Sequence, residues 1–479
     1  MPLEGLTPPV GISSEDWAAT PLSVRALVVA VLERLARVEE RVNQTSRNSS
    51  KPPSSDSPSV PPRSGRQPSG RKAGGQPGHV GHGRELKRAE HVDHMIDAKP
   101  LSCNHCGALL MGEDPQPARH QVTELPPVKS SVTEYRRHTL RCLAWGAVSQ
   151  AGWPVDMPTR RFGPRLQATV GYLTGRVGMS HREVQEVLAT VFHIEVGLGS
   201  SAALEQAVST AVAAPVEEAS QYIQRQPMRN VDETPWWERA KHLWLWVKST
   251  PLVTVFHLLK TRGVVGAKAV IGEEFPGVVG TDRLAAYHWI APEHRQVCWA
   301  HLKRDFVALS ERGADSARLG LALLAEEHRL FTWWAEVRAG TLSRPDFQVR
   351  LLPVMTRVKE LLQEGAGVAH AQTQRTCRNL LTREPALWTF VWDENVEPTN
   401  NRAERPLRRA VLWRRRSFGT QSEHGSRFVE RILTVVTTLR QQKREVLEYL
   451  TVACTARLRD ATPPALVPQW RPIGVVPQL

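Results

Sequence analysis

The sequence predicts a mixed α/β chain in which a sheet lies between helical regions. Beginning at Met228, the runs MRNVDETPWW, HLWLWVKST and LVTVFHLLKT are rich in β-branched and aromatic residues and are separated by turns. That is the pattern of an antiparallel meander. A fourth run, GVVGTDRLAAY, carries Val278 and Val279 and reaches Asp282 at its end. On both sides of these runs apolar residues return at helical spacing.

The elements follow in chain order. Val24, Val28, Val31, Leu35, Val38 and Val42 alternate in steps of four and three, an a/d seam flanked by Glu33, Arg34, Glu39, Glu40 and Arg41. The seam fits a short coiled coil that self-associates, and equally an amphipathic helix docked on its own protein. Hydrophobic periodicity then stops, and residues 47–88 are dominated by Ser, Pro and Gly. Such a segment buries too little apolar surface to offset ordering, so disorder is expected. Arg63, Arg66, Arg71 and Lys72 make it either a basic tether or a plain linker.

Cys103-Asn-His-Cys106-Gly is a knuckle that aims two thiolates at one ion, and Cys142 follows it. A fourth cysteine is absent where it is expected, because position 145 is Trp. His138, His105 and His120 are the candidate replacements. Zinc held by Cys103, Cys106, Cys142 and a histidine, and a metal-free ribbon with its own small core, both remain open. From Phe162 the helical period resumes through Leu166, Val170, Leu173 and Val177. Ser180 and Glu183 then form a capping box ahead of Val184, Val187, Leu188 and Val191. Two helices joined at Gly178-Met179 fit a helix-turn-helix or an ordinary helical hairpin.

Composition narrows the function. Sixty-two Lys and Arg against 48 Asp and Glu give a net charge of +14, which favours an anionic partner. Six cysteines in 479 residues are too few for a disulfide scaffold. The start, MPLEGLTPPVG, lacks the charged and apolar regions of a secretory signal. No uninterrupted apolar run reaches the roughly 18 residues of a membrane span, so no membrane role is expected.

The basic charge peaks between Pro398 and Gly419, where Arg402, Arg405, Arg408, Arg409, Arg414, Arg415 and Arg416 surround one acid, Glu404. Asn401 as N-cap would place Glu404 at the third helical position, where it closes a capping box. It would then present Arg405, Arg408 and Arg409 along one side. The alternative role for Glu404 is chemical. Asp232 and Asp282 sit at strand positions from which a sheet can aim carboxylates at one point. Three such acids suit a pair of Mg²⁺ or Mn²⁺ ions that stabilise the attacking and leaving oxygens of a phosphoryl transfer.

These pieces resemble, in order, a transposase of the insertion sequence 66 family. RNSSKPPSSD and GGQPGH resemble its linker signatures, CNHCG its zinc segment, and VDETPWW and GTDRLAAY its two aspartate motifs. CWAHLKRDF follows the second motif, NNRAERPLRRAVLWRRRSF resembles the glutamate motif, and EVLEYL and PPALVPQW fit the tail. The resemblance implies a ribonuclease H-like core with Asp232, Asp282 and Glu404 as metal-binding catalytic residues. Mg²⁺ or Mn²⁺ would be the cofactor, with zinc on the cysteines. The activity implied is cleavage at transposon ends followed by strand transfer into target DNA.

DNA contacts are expected from Arg405, Arg408, Arg409, Arg414, Arg415 and Arg416. A homo-oligomer, accessory proteins of the same element and a nucleoid-associated place in the bacterial cytoplasm are further expectations. His301 falls near the metals or in the core. The implied order is an N-terminal helix (1–46), linker (47–88), zinc-finger-like module (89–150), helical DNA-binding region (151–225), catalytic domain (226–440, with a helical insertion at about 307–395) and helical tail (441–479). The chain departs from the family pattern at three places: Trp145, Arg283 after the second aspartate, and the pair Arg416-Ser417 in the basic motif. A nuclease that cuts without joining, and a DNA-binding protein whose acids are structural, are the competing readings.

Overall fold

The computed structural model describes residues 8–9, 11–49, 85–155, 157 and 161–468. The expected linker falls largely outside these residues. The chain divides into two compact units, one of residues 61–131 and one of residues 1–60 with 132–479.

In the smaller unit the Cys103 knuckle is closed by an antiparallel bridge between Ser102 and Leu109. None of its described residues is buried. Met95, Ile96, Leu101 and Met111 are all exposed. A segment whose described residues form no core needs a staple or a partner to hold one shape.

The larger unit opens with helices α1 (Ser14–Ala19) and α2 (Leu22–Val42). The seam on α2 is open to solvent at Val24, Val31, Leu35, Val38 and Val42. A hairpin follows, β1 (Thr139–Arg141) paired with β2 (Val148–Gln150). Next come α3 (Pro164–Tyr172), α4 (His181–Phe192), α5 (Leu198–Ala211) and α6 (Ala213–Gln224). Both bonds of the Ser180–Glu183 capping box are present at the start of α4. Val184 and Leu188 are buried behind it, whereas Val191 is exposed.

The sheet then forms from β3 (Met228–Glu238), β4 (Lys241–Ser249), β5 (Thr254–Leu259), β6 (Val278–Thr281) and β7 (Arg295–Val297), with α7 (Val264–Ile271) between β5 and β6. Its order is β5-β4-β3-β6-β7. The three predicted β-rich runs are antiparallel neighbours, and β6 and β7 add in parallel on the far side of β3. Side chains alternate across β3 because a strand has a period of two. Val231 joins Trp246, Ala267, Val270 and Ile271 under α7. Trp236 joins Leu245, Val247 and Phe256 on the opposite face.

Five helices separate β7 from the arginine-rich segment: α8 (Trp299–Ser310), α9 (Ala314–Ala339), α10 (Arg344–Gly365), α11 (Ala371–Leu381) and α12 (Thr389–Trp392). They share a core around Trp299, Trp334, Phe347, Trp388 and Phe390. The stretch between Asp282 and Glu404 is thus helical and forms a packed layer. The chain returns through α13 (Asn401–Ser417) and α14 (Glu423–Gln441), whose Ala403, Leu407, Ala410, Val429 and Leu433 cover the Trp236 face of the sheet. Helix α15 (Val446–Leu458) packs with α14, α3 and α5 through Leu450, Ile432, Ala168 and Val208. Gly175 lets α14 approach closely, since a Cβ there would lie 2.3 Å from Ile432.

Candidate active site

Two of the acids are brought together by strand register. Asn230 of β3 is paired with Gly280 of β6, and the strands run parallel. Two residues further on, each strand reaches an aspartate, so Asp232 and Asp282 stand side by side on one face. Asp282 follows the last residue of β6 and its Oδ1 accepts the N–H of Leu284 at 2.9 Å. Asp232 is partly accessible and accepts the N–H of Glu233 at 2.9 Å.

Glu404 reaches the same region from α13. Burial pushes the Asp232 carboxyl well above the usual carboxylate range, and the charges of Glu233, Asp282 and Glu404 push it further. Like charges converging in a half-buried place favour a cation. Hard carboxylate oxygens suit Mg²⁺ or Mn²⁺.

The start of α13 corrects the sequence reading. The N-cap is Asn400, not Asn401, and no side chain caps the helix. Glu404 therefore closes no capping box. The buried Asn400 side chain is committed elsewhere: its Oδ1 accepts from Asn230 Nδ2 and its Nδ2 donates to the Val231 carbonyl, each at 2.8 Å. Its backbone N–H donates to Cys298 Sγ at 3.1 Å. Tertiary bonds to β3 thus fix where the helix starts, and they free the Glu404 carboxylate for another role.

That carboxylate faces α8. Cys298, the N-cap residue of α8, has Sγ 3.6 Å from Glu404 Oε1. His301 Nδ1 lies 3.5 Å from the same oxygen. Burial, followed by the Glu404 charge, pushes the Cys298 thiol up to about 12.

The opposite face of the sheet carries a buried polar set. Tyr287 donates to Glu233 Oε2 at 2.5 Å, and Arg262 pairs with Glu233 Oε1 at 2.8 Å. Burial and then Asp282 raise Glu233 to about 7, against the opposing effects of Tyr287 and Arg262. Arg295, fully enclosed, donates to Thr281 Oγ1 and to the Asp282 carbonyl at 2.9 and 2.7 Å, which fixes the turn that presents Asp282. Arg283, at the position that departs from the family pattern, pairs with Asp305 at 2.7 Å.

Sequence reasoning passed over Asn400, Cys298, Arg295 and Glu233. Only Cys298 carried a local signal, the Cys-x-x-His spacing to His301.

The arginines expected at DNA divide into separate groups. Arg414 turns inward to Thr234 Oγ1 at 3.1 Å and to the Pro235 carbonyl. Arg416 pairs with Glu183 at 3.0 Å. Arg408 and Arg415 are exposed. Arg405 and Arg409 line a cleft of about 940 Å³ with Arg176, Arg338, Arg402 and Arg440. Only Arg402 has a carboxylate partner among the described residues, Glu397 at 3.5 Å. Burial, then the charges of Arg176 and Arg440, lower the Arg409 pKa. Arg408 is not among the residues that line this cleft.

Residues 160–427, which include the sheet, all three acids and the helices between the last two, match the Transposase IS66 family. The chain belongs to this family. Residues 16–85 of this IS66-family chain match a family of unknown function. An uncharacterized protein of Sinorhizobium fredii is 27% identical over 195 residues, which is 38% of this chain and 36% of that relative. The alignment therefore spans about a third of the relative's length.

The cysteine segments can each be placed. At Cys103 the N–H donates to the Ala108 carbonyl, and Gly107 N–H returns to the Cys103 carbonyl. At Cys142 the same two bonds link Cys142 to Ala147 and Gly146 to Cys142. Both glycines have positive φ, 75° and 66°. The second turn is thus a knuckle of the same form, with Trp145 standing where the first has Cys106. Backbone N–H bonds from His105 and Cys106 lower the Cys103 pKa. No helix among the described residues is long and apolar enough to cross a membrane.

Proposed function

We propose that this chain catalyses metal-dependent cleavage of DNA at the ends of an insertion sequence and transfer of the freed strand into target DNA. The observation that carries this reading is the parallel register that sets Asp232 beside Asp282, with Glu404 on the covering helix near enough for its charge to raise the Asp232 carboxyl. The strand order, three antiparallel strands followed by two parallel ones, supports a ribonuclease H-like core.

Asp232, Asp282 and Glu404 would hold Mg²⁺ or Mn²⁺. Such ions supply Lewis-acid stabilisation of the attacking and leaving oxygens of a phosphoryl transfer. The protein's own residues do the rest. Arg295 and Asn400 position the turn of Asp282 and the helix of Glu404. Trp236 and Leu407 keep α13 seated on the sheet. The arginine cleft offers a phosphate backbone five guanidinium groups that have no carboxylate partner among the described residues.

The exposed seam of α2 supports self-association, which would allow two element ends to be held together. The coreless unit with its Cys103–Cys106 knuckle supports zinc as its staple.

The deciding experiment uses labelled element ends, a target plasmid and Mg²⁺. Joined product is expected from the native chain. Asp232→Asn, Asp282→Asn and Glu404→Gln should each bind ends without cutting them. Cutting without joining would reduce the reading to a nuclease, and cutting by the three variants would overturn the catalytic assignment.

A further inference from the structure

We propose that Cys298, His301 and Glu404 form a site for a borderline-soft divalent ion of the zinc class, separate in ligand chemistry from the hard-ion site of the three acids. Among the described residues, these are the group whose ligand atoms all lie within 4.8 Å of one another. The spacing fits one ion. In a tetrahedral site, bond lengths of about 2.3 Å to sulfur and about 2.0–2.1 Å to nitrogen or oxygen separate sulfur from oxygen by about 3.6 Å and nitrogen from oxygen by about 3.3 Å. The corresponding separations here are 3.6 Å and 3.5 Å.

A second observation points the same way. His301 Nδ1 is buried and makes no hydrogen bond, although it faces Glu404. An ion between the ring, the thiol and the carboxylate satisfies that nitrogen. The Asn400 N–H donates to Cys298 Sγ at 3.1 Å and holds the sulfur beside Glu404, where an ion takes the place of the proton that Cys298 shares with Glu404 Oε1. Binding replaces the S–H bond with a sulfur–metal bond and releases the thiol proton to solvent. Three protein ligands leave a fourth position open to water, as in zinc sites that are not purely structural.

Glu404 belongs to both ligand sets. An ion gripped by sulfur and imidazole takes an oxygen that the hard-ion site requires, so zinc-class ions act as competitive inhibitors of the Mg²⁺-supported reaction. That consequence rests on the proposed function; the binding site itself does not.

The test uses the full chain carrying Cys103→Ser, Cys106→Ser and Cys142→Ser, stripped of metal and titrated with Co²⁺ alone. A near-ultraviolet thiolate-to-cobalt absorption band is expected, saturating near about one equivalent. Adding Cys298→Ser should abolish it, and His301→Ala should weaken Co²⁺ binding by at least about tenfold. Circular dichroism verifies that each variant remains folded, and His301→Gln replaces His301→Ala should the latter not fold. Absence of the band, or a band indifferent to Cys298→Ser, overturns the site. Inactivity of the native chain with Mg²⁺ and no zinc bears instead on the proposed function.

Discussion

Replacing Asn400 by alanine tests how Glu404 is brought to the sheet. The change removes an acceptor for Asn230 Nδ2 and a donor to the Val231 carbonyl, both at 2.8 Å, at a residue that is 1% exposed. Losing the bond to the carbonyl costs about 1 kcal/mol. Stranding the buried Asn230 amide adds about 1–3 kcal/mol, for a total of about 2–4 kcal/mol. Urea denaturation reads this as a fall in midpoint on the order of 1 M.

The two asparagines act on one bond, so Asn230→Ala combined with Asn400→Ala should cost less than the sum of the single changes by about 1 kcal/mol. Cleavage should fall more steeply than stability under conditions where the variant is folded, because α13 loses its anchor beside β3. A midpoint within roughly 0.2 M of the native chain, or strictly additive effects, would show that packing alone seats α13.

Other outcomes follow from the same geometry. Glu233 binds its proton more tightly in the folded chain, at about 7 against an ordinary 4.5, so folding stability falls as pH rises through that window. Glu233→Gln should flatten that slope, by at most about 3 kcal/mol across it, when denaturation midpoints are followed from acid to neutral pH. Arg409→Ala and Arg440→Ala should each reduce the salt dependence of DNA binding by about one phosphate's worth, whereas Arg414→Ala should lower stability and leave that slope unchanged. Metal analysis of the purified chain should find zinc whose content falls by about one equivalent in Cys103→Ser; a fall of less than about a tenth of an equivalent would exclude the knuckle as a zinc ligand.

Much of the sheet and two of the acids were legible in the sequence, because strand signals are local. The Trp- and Val-rich runs pair as expected, and Asp282 falls just past its strand. The capping box of Ser180 and Glu183 was legible for the same reason. The start of α13 was not. Asn400 and Asn401 are equally good caps by type, and bonds to β3 and Cys298 decide between them. The arginine cluster likewise has one composition but several surroundings. Arg414 is drawn inward by Thr234, Arg416 is neutralised by Glu183, and Arg409 faces Arg176 and Arg440 from distant segments. The grouping of Cys298 and His301 with Glu404 spans a hundred residues of chain and exists only once the layers have packed.

The helical layer between Asp282 and Glu404 is closed where it leaves the sheet. The Trp299 N–H donates to the Pro398 carbonyl at 2.9 Å, and the Cys298 sulfur receives the Asn400 N–H, so the chain departs and returns through one cinched throat. The layer is tied to the sheet beyond the throat as well: Thr389 Oγ1 donates to the Arg295 carbonyl at 2.7 Å and the Phe390 N–H to Gln296 Oε1 at 2.8 Å. The stretch between Asp282 and Glu404 thus leaves and rejoins the sheet at one point, and the packing of that layer sets where Glu404 stands.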